Sequence, residues 1–356
     1  MVYLKFAMVT DLHFGARSDS LAFDAHFKRF YEEVFFPELI RQDIKTVFDL
    51  GDTFDRRKYI NYNTLKSCKE YFFDRLQELN IDLHMIPGNH DTYFKNTNDV
   101  NSPDLLLRDY DNISLYQKVT EIKLGSSKVL FVPWICNENY EESFEIISKS
   151  DADLCMGHFE FSGYEMYRGA TNPHGMDASM FSHLPMVVSG HFHHRHTKGN
   201  ITYMGNPYEI TWSDYDDPRG FAIYDTEEKR LEYVDNPNKI FHKIYYDDTD
   251  TGQFVDGFVF DYDSVRGGCV KVIVVKKTDF AKFDAFIDNL YQCNLIELKI
   301  IEDLSEFEDE AVGEDVDLED TMSLLTEYVD GIEVTVDKEK LKSLLQTLYV
   351  EAQDVA

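Results

Sequence analysis

Thr46-Val47-Phe48-Asp49-Leu50-Gly51-Asp52-Thr53-Phe54-Asp55 decides how the rest of the chain is read. A short apolar run, carried by Val47, Phe48 and Leu50, stops at a glycine, and a carboxylate follows at once. A buried parallel strand ends in this way: Gly51 permits a sharp turn, and Asp52 sits at the strand's carboxyl end. In open α/β sheets that edge is where ligands bind. Four further strand-like runs end in residues able to ligate a metal. They are Val9-Thr10-Asp11-Leu12-His13, Met85-Ile86-Pro87-Gly88-Asn89-His90-Asp91, Cys155-Met156-Gly157-His158 and Val188-Ser189-Gly190-His191-Phe192-His193. Among these side chains Asp52 is the best placed to bridge two cations.

The chain of 356 residues, 43% hydrophobic and 14% aromatic, has enough apolar material for a full core and for more than one domain. No apolar run reaches the ~20 residues of a membrane span, and the N-terminus lacks the pattern of a secretory signal. Five cysteines, odd in number and without CxxC spacing, point to reduced thiols in the cytoplasm rather than a disulfide frame or a zinc ribbon. The net charge of −31 opposes free-standing nucleic-acid binding, because phosphate contacts need Lys and Arg. Part of that charge is local: 11 of the 19 residues from Glu302 to Asp320 are acidic and none is basic. Carboxylates that ligate cations are also neutralised in the working state.

Read in order, the first half alternates strand and helix: strand 3–9, helix 23–42, strand 47–50, helix 61–79, strand 81–86, and a shorter helix opened by Ser102-Pro103. This alternation implies a parallel sheet. Strands then shorten and turns crowd in, with strand 128–134, helix 140–148, and later strands 201–204, 221–225 and 231–234. The expected division is a two-layered sheet core over 1–238 and a separate small unit over 239–303, with strands 241–246, 270–276 and 295–301 around helix 279–291. An acidic linker over 304–317 and a helical region over 318–356 complete it.

Asp11, His13, Asp52, Asn89, His158, His191 and His193 fall at five strand ends, in an order that polar loop residues capping turns would not produce by accident. Carboxylate, imidazole and amide oxygen without thiolate disfavour a structural zinc site. The set suits two divalent cations in an open catalytic site, manganese the most natural for phosphate chemistry, with magnesium, iron and zinc as alternatives. Arg56, Arg57 and Lys58 follow the Asp52 turn, Lys95 follows Asp91, and Arg195 and Lys198 follow His193. They would line a groove for DNA phosphates, or stand as solvated loop charge.

Asp-Leu-His, Gly-Asp-Thr-Phe-Asp, Gly-Asn-His-Asp, Gly-His and Gly-His-Phe-His together resemble the five motifs of the calcineurin-like metallophosphoesterases. In order and spacing they resemble most the SbcD-type nuclease subunits of double-strand-break repair complexes. Longer strings, Phe131-Val132-Pro133-Trp134-Ile135-Cys136, Gly205-Asn206-Pro207-Tyr208 and Asp217-Pro218-Arg219-Gly220-Phe221 among them, are similar to the small subunits of phage recombination nucleases. The resemblance implies a four-layer α/β/β/α core with a small α/β capping domain and C-terminal helices. It gives Asp11, His13, Asp52 and His193 to one metal, and Asp52, Asn89, His158 and His191 to the other. His90 would face the scissile phosphate and assist the leaving oxygen, with Asp91 orienting it. Some relatives carry histidine where this chain has Asp55, and an aspartate is no neutral-pH proton donor without a raised pKa.

The resemblance further implies 3′-to-5′ exonuclease and single-strand endonuclease activity in recombination-linked repair and replication. It implies an SMC-like ABC ATPase partner of the SbcC type, gripped by the C-terminal helices. There Leu341, Leu344, Leu345, Leu348 and Tyr349 form one apolar stripe at helical spacing. A homodimer is implied through the helices over 61–79 and 103–108, where Tyr62, Leu65, Tyr71 and Phe72 are equally readable as core. Two other readings stand beside the nuclease: a phosphatase or phosphodiesterase acting on a non-DNA ester, and a non-catalytic scaffold.

Overall fold

The computed structural model describes residues 4–250, 252–255, 258–302 and Lys338. The acidic linker and the stripe of Leu341, Leu344, Leu345, Leu348 and Tyr349 lie outside the described residues.

Two six-stranded sheets stack face to face. The first contains β1 (Lys5–Val9), β2 (Thr46–Asp49), β3 (Asp82–Met85) and β4 (Ile113–Leu115), all parallel. The second begins with β5 (Thr120–Leu124), β6 (Ser127–Val132) and β7 (Leu154–His158), and a two-stranded ribbon follows as β8 (Glu165–Tyr167) and β9 (Ala170–Thr171). The chain then adds β10 (Val187–Gly190), β11 (His196–Lys198) and β12 (Ile201–Tyr203) to the second sheet. It returns to the first with the antiparallel pair β13 (Gly220–Asp225) and β14 (Arg230–Asp235). The strand orders are β14-β13-β1-β2-β3-β4 and β11-β12-β10-β7-β6-β5.

Period-two alternation in strands buried on both faces accounts for the layering. Phe6 and Met8 of β1 face the second sheet with Phe48, Leu50 and Ile86, and meet Val129, Phe131, Leu154, Met156 and Val188. The Phe48 and Phe131 rings, 5.2 Å apart and nearly perpendicular, join the sheets directly. Ala7, Val9, Val47, Leu83 and Met85 point the other way, into a helical layer built on Phe23, Phe27, Phe30 and Phe72. The second sheet's outer face packs Phe144 and Ile147 of helix Tyr140–Lys149 in the same manner. The four-layer α/β/β/α arrangement is thus present.

Both long helices differ from expectation in one respect. Each contains a π turn, at Tyr31–Phe35 and at Lys69–Phe73. The two wide turns meet, with the Tyr31 and Phe72 rings 4.7 Å apart. Tyr71 and Phe72 are core and Leu65 is partly buried against it, while Tyr62 is exposed. A third sheet, β15 (Phe241–Asp247), β16 (Cys269–Lys276) and β17 (Glu297–Ile301), is parallel and carries helix Phe280–Tyr291 over its own apolar cluster. Its entry is stitched to the larger body: Ile240, Phe241 and Cys269 belong to the first core, and the buried Glu209 carboxylate accepts the N–H groups of Ile240 and Phe241 at 2.8 and 3.0 Å. All five cysteines are buried and free. No helix among the described residues is long and apolar enough to cross a membrane.

Candidate metal centre

Parallel strands stop together, so the turns after β1, β2, β3, β7 and β10 gather along one edge of the stacked sheets. Their ligand atoms form two groups, Asp11, His13 and His193 in one and Asp52, His158 and His191 in the other. Within each, the atoms lie within 4.8 Å of one another. In the first group the ring nitrogens Nε2 of His13 and His193 face each other at 3.2 Å, and Asp11 Oδ1 is 4.0 and 3.9 Å from them. In the second, Asn89 Oδ1 stands 3.0 Å from His158 Nε2 and 2.9 Å from His191 Nδ1. Asp52 joins the groups: its Oδ2 is 3.3 Å from His158 Nε2 and 3.9 Å from His13 Nε2. Converging lone pairs of this kind, carboxylate, imidazole and amide without thiolate, fit two hard or borderline divalent cations.

The backbone is shaped to bring these donors inward. Asp11, His13, Asp52 and His191 all have positive φ, from 43° to 85°, a conformation that non-glycine residues keep only where surrounding structure enforces it. Close approach explains two of the glycines. A Cβ on Gly88 would sit 2.1 Å from Asp52 Oδ1, and one on Gly190 would sit 1.9 Å from the Thr10 hydroxyl and 2.9 Å from Asp11 Oδ2. Hydrogen bonds complete the placement. Thr10 donates to Asp11 Oδ2 at 2.7 Å and the His191 N–H lies 3.0 Å from the same oxygen. His158 Nδ1 is 2.8 Å from the Leu50 carbonyl, which can only accept, so Nδ1 carries a proton and Nε2 is the nitrogen turned to the site.

Electrostatics follow from burial and proximity. Burial works against a charged His158, but the Asp52 carboxylate outweighs it and holds the imidazole up at about 9. Asp52 itself is held well below the usual carboxylate range, burial opposing and His158 prevailing. Burial, reinforced by the His158 charge, pushes His191 down to about 3. The site thus contains both a charged and a neutral imidazole without a cation, and a divalent cation would take the place of the proton on His158.

His90 is half-buried, with its ring 5.0 Å from that of His13. Its Nδ1 is 2.7 Å from the Asp55 carbonyl oxygen, and that contact orients the ring. Asp91, fully buried, accepts the backbone N–H groups of Gly88, Thr53 and Phe54 at 2.9, 3.2 and 3.1 Å, buckling the β2 and β3 turns together. The Asp55 carboxylate is 3.4 Å from His13 Nδ1.

The basic residues divide. Arg56 is paired with Asp19 at 2.8 Å and lies over the Tyr59 ring. Arg195 is paired with Asp235 at 2.6 Å and lies over Tyr233. Lys198 donates to the Gly163 carbonyl at 2.8 Å. Arg57 is half-buried, and Lys58 and Lys95 are exposed.

Three participants were not singled out from sequence. Trp134 walls the second group, its ring 5.6 Å from His191 and 6.0 Å from His158. Glu160 reaches within 3.9 Å of His191 Nε2. Asp49, fully buried, accepts the Thr53 hydroxyl at 2.7 Å and the Gly51 N–H at 3.1 Å, and so builds the turn that carries Asp52. The Phe131–Cys136 string already contained Trp134 as a likeness, and a second carboxylate three residues before Asp52 was visible without a role.

A family model and one sequence relative agree with this geometry. A family model described as calcineurin-like phosphoesterase matches residues 4–195. Exonuclease subunit 1 of Enterobacteria phage T4 is 31% identical over 315 residues, covering 88% of this chain and 89% of that protein. Solved structures with some likeness include an archaeal phosphodiesterase (10% identity, 65% of this chain and 100% of that one, TM-score 0.34) and a purple acid phosphatase from yellow lupin seeds (12%, 65% and 53%, 0.38). A dimetal phosphatase from Danio rerio is similar at 12% identity, 62% and 92% coverage and a TM-score of 0.38. The family match runs through all five ligand turns up to His193, and on that ground this chain belongs to the calcineurin-like phosphoesterases, enzymes of metal-dependent phosphoester hydrolysis.

Proposed function

We propose that this chain is a dimetal-dependent DNA nuclease, a 3′-to-5′ exonuclease and single-strand endonuclease subunit that works beside an SMC-like ABC ATPase in break repair, recombination and the replication linked to it. The observation that carries the metal part is the position of Asp52 Oδ2 between the two ligand groups. The phage T4 relative is named an exonuclease and a subunit, which supports both DNA as substrate and a partner. Asp11, His13, Asp52 and His193 would hold one cation, and Asp52, Asn89, His158 and His191 the other, with manganese the favoured metal. Bound there, two cations supply charge that stabilises the attacking and leaving oxygens of an in-line displacement at a phosphodiester.

The chain's own residues do the rest. His90, its Nδ1 proton committed to the Asp55 carbonyl, exchanges its second proton at Nε2, toward the leaving oxygen. Asp91 keeps the turns that carry Asp52, Asn89 and His90 in register. Arg56, Arg57, Lys58, Lys95, Arg195 and Lys198 are the cations near the site for the DNA backbone, Lys58 and Lys95 being exposed. Residues 1–238 form the nuclease unit, and 239–303 form a cap over DNA. Leu341, Leu344, Leu345, Leu348 and Tyr349 meet the ATPase in a cytoplasm, with a homodimer through the helices that begin at Tyr62 and Ser102.

One assay tests the substrate: manganese-dependent hydrolysis of single- and double-stranded DNA, a phosphopeptide and bis-nitrophenyl phosphate by the same preparation. Release of nucleotides from DNA ends is expected. Turnover of the phosphopeptide alone would make the chain a phosphatase, and no turnover of any substrate would make it a scaffold. Truncation after Glu310 is expected to leave basal cutting intact and abolish co-purification with the ATPase.

A further inference from the structure

Residues 205–219 lie outside the five ligand turns, yet they grip the first ligand group at two points. The Tyr208 hydroxyl donates to the Leu12 carbonyl at 2.6 Å, and Leu12 is the residue between Asp11 and His13. Tyr208 is itself fully buried, stacked on Phe27 with ring centroids 3.9 Å apart. The second grip is Arg219, which is 2% exposed. Its Nη1 donates to the carbonyl oxygen of His193 and to Asn206 Oδ1. Its Nη2 is 2.7 Å from Asp217 Oδ2 and 3.1 Å from Asp214 Oδ1.

The two carboxylates are anchored in turn. Asp214 Oδ2 accepts the N–H groups of Ile210 and Thr211 at 2.7 and 2.9 Å, and Asp217 Oδ2 is 2.9 Å from Nδ1 of His194, the residue after His193. Gly205 lets the segment come this close, since a Cβ there would lie 2.5 Å from the His193 carbonyl oxygen. A buried guanidinium with two carboxylates is costly to desolvate and strongly disruptive to break, so it holds the backbone it touches in one geometry. The second group is fastened differently, through the Leu50 carbonyl on His158 and the His90 N–H on Asp52.

We infer that residues 205–219 are the positioning scaffold of the first metal group, with Tyr208 and Arg219 as the positioning residues that set Asp11, His13 and His193. Neither touches substrate or ligand atoms; they act through the carbonyls of Leu12 and His193. The inference rests on the proposed two-cation reading of the site.

Manganese titration of the full chain, followed by calorimetry and by the electron paramagnetic resonance of free Mn²⁺, separates the two ideas. Wild type is expected to bind two ions in distinguishable steps; binding of fewer than two would defeat the two-cation reading itself. With two steps present, Tyr208→Phe and Arg219→Met are expected to weaken one step ~10–100-fold, the range for outer partners of metal ligands, and to leave the other unchanged. Arg219→Lys is expected to weaken the same step, because an ammonium cannot span the His193 carbonyl and both carboxylates. In a His193→Ala background, where that step is already lost, Tyr208→Phe is expected to add nothing. Two unchanged steps, or equal weakening of both, would overturn the inference. Tyr208→Phe removes one oxygen and decides the matter even where Arg219→Met does not fold.

Discussion

The carboxylate of Asp52 is divided between two turns: Oδ1 accepts the His90 backbone N–H at 2.8 Å, and Oδ2 lies 3.3 Å from Nε2 of His158. One oxygen therefore fixes the β3 turn and the other faces the ligand groups. Asp52→Asn keeps the shape but loses the charge that holds His158 protonated without metal and that would join two cations with it. The variant is expected to fold, to bind less than two equivalents of manganese, and to lose DNA cutting by ~10²-fold or more, the scale of several kcal/mol of transition-state stabilisation. Wild-type cutting rates in saturating manganese would remove Asp52 from its bridging role.

On the proposed mechanism, His90→Ala removes a proton-exchanging group but no ligand. Metal content is expected to match wild type while turnover falls by ~10²–10⁴-fold, the contribution typical of a positioned acid or base. Elemental analysis decides it: an emptied site would put His90 among the ligands instead. Asp55→Ala leaves the carbonyl that orients His90 in place, and is expected to cost less than His90→Ala in the same assay.

Sequence carried the placement of these side chains at strand ends because strand direction and the residue after each strand are local properties. Gly51-Asp52 and Gly157-His158 announce both the turn and the donor, and the sheet order then brings them together. Roles that depend on where a side chain points were not local. Asp91 adjoins His90 in sequence, but its carboxylate turns to the N–H groups of Thr53 and Phe54, because a buried turn needs those donors satisfied. Arg56 and Arg195 follow ligand turns in sequence, and the acidic partners that engage them lie 37 and 40 residues away. Tyr208 and Arg219 meet Leu12 and His193 only through tertiary closure. The π turns at Tyr31 and Lys69 are one-residue shifts in hydrogen bonding that apolar periodicity does not register.

Gly88→Ala tests the close approach of the β2 and β3 turns. The added methyl would overlap Asp52 Oδ1 at 2.1 Å and the Asp52 nitrogen at 2.4 Å, and backbone cannot yield as a side-chain tip would. Displacement of Asp52 is expected, with loss of manganese binding and a lowered melting temperature, the cost being ~1–3 kcal/mol as for other overpacked sites. Unaltered metal affinity in this variant would mean that the turn has room that the structure does not show.

Acid stability should reveal His26. It lies on helix Leu21–Phe30, 8% exposed, with Nε2 lacking a hydrogen-bond partner and its ring 6.4 Å from that of Tyr208. Burial pushes it down to about 4, and the charges of Arg29, Lys239 and His242 add to the effect. Above pH ~6.5 the ring is neutral whether the chain is folded or not, so its burial is free of a protonation cost. Between pH ~6.5 and about 4 the unfolded chain binds the proton and the folded chain does not. Stability from this group is therefore complete above pH ~6.5 and falls as the pH drops, by roughly 2 kcal/mol at pH 5. Urea unfolding of wild type and His26→Leu at pH 7 and pH 5 isolates the term, because other titrating groups cancel in the difference. Wild type is expected to lose about 2 kcal/mol more than the variant on acidification. Equal losses would show that the imidazole takes up its proton inside the folded helix layer.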